Sequence, residues 1–237
     1  MGLPQINPLP KHDIMIPSTQ QKIQFRPFLV KEQKILLMAL ETQDQTQILN
    51  AITDIIQDCI LAPINIKTLT TFDVEYLFIQ IRSKSVGERA VIQIQCPHCD
   101  EPHTISIQLD AIKVDMPQPS TKMIKLTDKY TLKMRYPAYQ FMLNSDVIKN
   151  ETSLTEKMYE MVIGCMDSLQ TDDISLKFDD EPKQEVDRFL ETLTPDQMKL
   201  LIEFVQALPK IQHLIKYKCS KCSKENQRLL EGISDFF

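Results

Sequence analysis

The chain has 237 residues, 43% of them hydrophobic and 25% charged, and a formal net charge of −5. It is long enough to bury a core without disulfides, and the acidic balance weighs against work on a nucleic-acid backbone, where affinity comes largely from cations that neutralise phosphates. Four glycines against fourteen prolines argue against a glycine-rich phosphate loop, and no apolar run reaches the roughly 18–20 residues that span a bilayer.

The N-terminal stretch "MGLPQINPLPKHDIMIP" has neither a basic n-region nor an unbroken apolar h-region, so it reads as no secretion signal. A reducing compartment follows, in which cysteines serve metals or catalysis more often than disulfides. Residues 1–29 carry Pro4, Pro8, Pro10, Pro17 and Pro27 and read as an extended arm, with a strand at "KIQFRPF". Such an arm either lies along its own domain or reaches to a partner.

Helices follow. "VKEQKILLMALE" is a strong helix former. Asp44 and Gln47 have capping-box spacing ahead of Ile48, Leu49, Ile52, Ile55, Ile56, Cys59 and Ile60, steps of three and four that share one face. Cys59 is therefore a small core residue. "TTFDVEYLFIQIRSKSVGE" is a third helix with Val74, Leu77, Phe78 and Ile81 as its ridge, and Gly87 is placed to end it. Asp73, Glu75 and Arg82 suit the helix dipole better than an acid–base role.

Residues 89–135 read as strands: "AVIQIQ" and "TISIQL" alternate, and "KMIKL" and "YTLKMRY" make a further hairpin across "TDK". Helices resume from about residue 137. Ser153 and Glu156 cap a stripe of Leu154, Met158, Met161, Val162, Cys165, Met166 and Leu169, with Cys165 again a core residue. "TDDISLKFDDEPKQE" reads as a solvated loop. Thr194, Pro195 and Gln197 open a helix through Leu200, Leu201, Phe204, Val205 and Leu208. Two strand patterns then flank Cys219-Ser220-Lys221-Cys222.

Four of the six cysteines form two CxxC pairs, Cys96/Cys99 and Cys219/Cys222, each between strands. CxxC lets two thiolates on one tight turn hold a tetrahedral metal, and two such knuckles complete a four-thiolate zinc site. Residues 100–218 are too long a spacer for a contiguous ribbon, so the pattern predicts a split one, its hairpins meeting in space. A thioredoxin-like redox pair is the competing reading, but it needs a helix after Cys96 to lower its pKa, and "DEPHTISIQL" predicts a strand there. That reading also leaves the second pair unexplained; free thiols are the remaining alternative. His98 and His103 could substitute as ligands, but four cysteines suffice, and a histidine inside the knuckle more often points to solvent. Lys216, Lys218, Lys221, Lys224 and Arg228 crowd the second, where they would offset the negative charge of a four-thiolate zinc. No nucleophile elbow or open zinc motif accompanies them.

The stretches "LPQINPLP" through "IMIPST", "FRPFLVKEQKILLMALE", "FDVEYLFIQIRSKSVGE" and "CSKCSKENQRLLEGISDFF" together resemble the baseplate hub proteins of T4-like contractile-tailed phages, a group that contains hub subunits and hub assembly chaperones. The likeness spans most of the chain and is strongest over 20–110 and 210–237. It implies a non-enzymatic protein that helps build the central baseplate hub, in the host cytoplasm during assembly or in the virion tail. It implies partners among hub, central spike or tape-measure proteins, with no small-molecule substrate, nucleic acid or membrane. Some relatives lack full cysteine pairs, so zinc is inferred from this sequence alone.

The expectation is thus an α+β fold: an arm over 1–29 and a single domain over 30–237, with a zinc-ribbon-like module built from 89–110 and 211–232. One structural zinc per chain would sit on Cys96, Cys99, Cys219 and Cys222. The terminal Phe236 and Phe237 are expected either to contact a partner or to dock on the protein's own core. A zinc-ribbon nucleic-acid-binding regulator is the principal rival, and a thiol–disulfide oxidoreductase comes third.

Overall fold

A computed structural model describes residues 9–116, 122–145 and 153–236, which form helices and small antiparallel sheets, an α+β protein. The chain makes two compact units, Met1–Asp115 with Lys210–Phe237, and Met116–Pro209. The second unit is inserted in sequence between the two parts of the first, and both CxxC pairs belong to the first.

In the first unit His12–Met15 (β1) pairs with Lys22–Phe25 (β2), and their alternation turns Ile14, Ile23 and Phe25 inward. This part of the arm lies on its own unit. The Ser18 N–H and hydroxyl donate to the Asp73 carboxylate at 2.9 and 2.5 Å, and the Phe28 N–H donates to Ser85 Oγ at 2.9 Å.

Three helices follow: Val30–Thr42 (α1), Gln45–Cys59 (α2) and Thr71–Ser85 (α3). Leu29 has no polar side chain to cap α1, and the Glu32 carboxylate instead accepts the Leu29 N–H at 2.8 Å. Asp44 caps α2 by accepting from the Thr46 and Gln47 N–H groups at 2.8 and 3.2 Å. Gln47 answers side chain to side chain, at 3.1 Å, rather than reaching the backbone. The expected stripe holds where it matters, with Ile52, Ile55, Ile56 and Cys59 buried. Thr70 and Asp73 close a full capping box on α3, and Val74, Leu77, Phe78 and Ile81 are its inaccessible ridge. The helix ends at Ser85, and Gly87 takes the left-handed φ of 137° just beyond it.

Arg89–Gln95 (β3) and Pro102–Gln108 (β4) form a regular hairpin from Arg89↔Gln108 to Gln95↔Pro102. Val114–Asp115 (β5) completes this part of the unit.

The second unit is built on a four-stranded antiparallel sheet. Met123–Lys125 (β6) and Thr131–Met134 (β7) make the expected hairpin. Tyr139–Asn144 (α4) and Leu154–Cys165 (α5) follow, the latter opened by the Ser153/Glu156 box. Here the structure corrects the sequence reading: the helix stops at Cys165, and Met166–Gln170 (β8) is a strand that pairs with β7, so Met166 and Leu169 are strand residues. The stretch read as a solvated loop contains Ser175–Lys177 (β9), a 3-10 turn over Phe178–Asp180, and Lys183–Glu191 (α6). Pro195–Gln206 (α7) has the full Thr194/Gln197 box. Leu132, Met134, Val162, Cys165, Met166, Leu201 and Phe204 are among the residues of the unit's core.

The chain re-enters the first unit along Lys210–Lys218 (β10), which pairs with β5 through Lys210↔Asp115 and Ile211↔Val114 and with Glu225–Glu231 (β11) on its other side. Ile92, Ile94 and Ile107 of the first hairpin share one core with Ile211, Ile215, Leu230 and Ile79 of α3. Burial on that common core brings the two hairpin tips together. Of the expected terminal contacts, Phe237 lies outside the described residues, and only the backbone of Phe236, in a 3-10 turn over Ile233–Phe236, is described.

Candidate metal centre

The two knuckles are local copies of one another. In the first, the Cys96 N–H donates to the Glu101 carbonyl and the Asp100 N–H to the Cys96 carbonyl, each at 2.9 Å. In the second, the Cys219 N–H donates to the Lys224 carbonyl at 2.9 Å and the Ser223 N–H to the Cys219 carbonyl at 3.0 Å. Asp100 and Ser223, each just after the second cysteine, hold the left-handed φ values 57° and 59°. The chain thus reverses within one CxxC and swings both sulfurs to the same side of each tip.

The sulfurs interleave. Cys96 Sγ lies 3.8 Å from Cys222 Sγ and Cys99 Sγ 3.6 Å from Cys219 Sγ, and all four fall within 4.8 Å of one another. A disulfide would need about 2.05 Å. Four sulfurs at about 2.3 Å from one tetrahedral ion stand roughly 3.8 Å apart, so spacing and donor set fit a zinc-type site. Cys96 and Cys219 are buried, and Cys99 and Cys222 half-buried.

Around the sulfurs stand donors. The Cys222 N–H points to Cys219 Sγ at 3.4 Å, His103 Nε2 approaches the same sulfur at 3.3 Å, and Asn226 Nδ2 approaches Cys96 Sγ at 3.7 Å. The Cys222 N–H, ahead of His103 and the Lys221 N–H, outweighs burial and holds the Cys219 thiol down to about 5. Cys99 goes the other way. The Glu101 N–H favours its thiolate, but burial and hydrogen bonding with Cys219, Cys222 and Cys96 push it up to about 12. A divalent ion bound among the four sulfurs would supply the positive charge that favours their thiolate forms.

The cations of the second knuckle are partly engaged across the gap. Lys221 pairs with Glu101 at 3.0 Å, and Lys224 Nζ lies 3.5 Å from His98 Nδ1, with His98 itself exposed. Lys216 and Lys218 instead line an open surface trough with Tyr217, Glu225, Asn226 and Gln227. Neither CxxC opens a helix: Cys99 runs through Asp100 into β4, and Cys222 through Ser223 into β11. The backbone dipole that activates a redox cysteine is therefore missing from the first pair. Cys59 and Cys165 stand apart as buried core thiols, pushed up by burial to about 11 and about 12.

His103 was weighed from sequence as a substitute ligand and stands beside Cys219 Sγ, whereas Asn226, beside Cys96 Sγ, was not singled out. The two positions match in register: His103 follows Cys99 by the turn that starts β4, and Asn226 follows Cys222 by the turn that starts β11. Among the described residues no helix is long and apolar enough to cross a membrane. No curated protein and no solved structure matches the chain. Its family is nevertheless shown along nearly its whole length, because the family model described as T4 bacteriophage base plate protein matches residues 9–237, and the chain belongs to that family.

Proposed function

We propose that this baseplate protein acts in assembly of the central hub of a contractile tail, as a hub subunit or hub assembly chaperone, without catalysing a reaction. The family match along residues 9–237 carries the reading. Its partners are then hub, central spike or tape-measure proteins, met in the host cytoplasm during assembly, with Phe236 and Phe237 among the contacts.

In this reading Cys96, Cys99, Cys219 and Cys222 hold one structural zinc per chain, in a split ribbon. Four sulfurs within 4.8 Å on two matching knuckles support it. Four thiolates fill a tetrahedral ion, so such a site is coordinatively closed and suits stability, not catalysis. It would cross-link the hairpin at 89–108 to the one at 210–231.

Affinity purification of the tagged chain from infected cells tests the role. Recovery with hub, spike or tape-measure proteins is expected; recovery with polymerase instead would overturn it. Metal analysis tests the site separately. The wild type is expected to hold about one zinc per chain and Cys219→Ser or Cys222→Ser to release it, whereas a metal-free protein of undiminished stability in strong chelator would refute it.

A further inference from the structure

α1 buries only a narrow face, Glu32, Leu36 and Ala39. On the opposite side, at helical spacing, stand Val30, Lys34, Leu37, Met38 and Glu41. Val30 is 79% exposed, Met38 57% and Leu37 52%. A solvated helix face is ordinarily polar, and an apolar strip of this kind marks a surface that another protein covers. Ile35 and Leu40 flank it and are also exposed.

The two charges on the strip say what covers it. Lys34 and Glu41 are exposed, and among the described residues neither forms an ion pair. Seven residues apart, they are about 10 Å from each other along the helix and cannot meet within one chain. We propose that this face is the interface of a homodimer in which α1 packs antiparallel against α1 of a second copy. A two-fold axis at Leu37 and Met38 sets Lys34 opposite the second copy's Glu41 and Glu41 opposite its Lys34, the reciprocal contact that an isologous interface requires. A parallel pairing would place Lys34 on Lys34 and Glu41 on Glu41, like against like. Closure of the apolar strip drives association, and the exposed ion pairs select its direction. A single helix per partner covers less than a standard interface, so dissociation on the order of micromolar is expected.

Sedimentation equilibrium of the full chain from about 1 to 200 μM tests this, at protein concentrations bracketing that affinity. The wild type is expected to be a dimer at the upper end. Leu37→Glu should be a folded monomer, checked by unchanged circular dichroism. Lys34→Glu and Glu41→Lys should each weaken the dimer about tenfold, and the double reversal should restore it. A wild type monomeric throughout, or a dimer indifferent to both single reversals, overturns the proposal. So does failure of the double reversal to recover.

Discussion

His103 Nε2 stands 3.3 Å from Cys219 Sγ, on the sulfur that also receives the Cys222 N–H. The imidazole is placed to donate to a thiolate rather than to replace it, since four sulfurs already surround the site. Groups that steady a metal ligand in this way commonly account for 10- to 100-fold in affinity. His103→Ala should therefore lower zinc affinity by about that factor in a competitive chelator titration while the cobalt-substituted protein keeps a four-sulfur charge-transfer spectrum. Unchanged affinity would remove His103 from the site, and a spectrum that loses a nitrogen ligand would make it a ligand itself.

Glu32 is the buried charge that fixes the arm to α1. Its side chain is 1% exposed; burial opposes ionisation, but Arg26 at 2.8 Å, the Leu29 N–H and Lys31 hold the carboxyl down to about 2 from an ordinary 4.5. A folded pKa below the unfolded one stabilises fully above about pH 4.5, and that stabilisation is lost as pH falls through about 2. The shift corresponds to roughly 3 kcal/mol. Urea unfolding of the wild type and Glu32→Gln should thus show a gap that is largest above pH 5 and closes toward pH 2. A gap constant across that range would mean that the charge contributes nothing.

These relationships were legible to different degrees. The Thr194/Gln197 box, the Ile52–Ile56 stripe and the Val74–Ile81 ridge are local, and local signals survive folding. The break at Cys165 was hidden because Met166 and Leu169 continue the helical step of three and four while also fitting a half-buried strand. α6 was hidden by its charge: Val186 and Leu190 are its only buried residues, set among Lys183, Glu185, Asp187 and Arg188. The cysteine pairs were visible as pairs, yet the approach of His103 and Asn226 to the sulfurs depends on β3–β4 and β10–β11 sharing a core, which spacing in sequence does not encode.

Gly164 marks a close approach inside the second unit. A Cβ built there would lie within 2.7 Å of three carbons of the Phe141 ring, although an alanine would otherwise suit the helix better. The clash should win, because the glycine is buried and the ring must move. Gly164→Ala is expected to lower stability by about 1–3 kcal/mol in chemical denaturation. Placed in a Phe141→Leu background it should cost markedly less, and equal costs in both backgrounds would show that the ring is not the obstacle.

The insertion point of the second unit is a strand pair. Asp115 and Lys210 face each other across β5 and β10, as do Val114 and Ile211, so the two ends of Met116–Pro209 leave the first unit side by side. Cross-strand partners stand about 4.5–5.5 Å apart, a gap that a two-residue Asn-Gly turn closes as a hairpin. Among the described residues, the buried core that joins the two cysteine hairpins is made of first-unit residues, Ile79, Ala90, Ile92, Ile94, Ile107, Leu109, Ile112, Ile211, Ile215 and Leu230. Replacing residues 116–209 by Asn-Gly should therefore leave a folded protein that unfolds cooperatively and keeps Cys99 and Cys219 within reach of one ion. Calorimetry and a cobalt titration of this shortened chain decide the matter. A broad, non-cooperative transition, or loss of the four-sulfur spectrum while the full-length chain shows it, would mean that the first unit depends on the inserted one to bring its two cysteine pairs together.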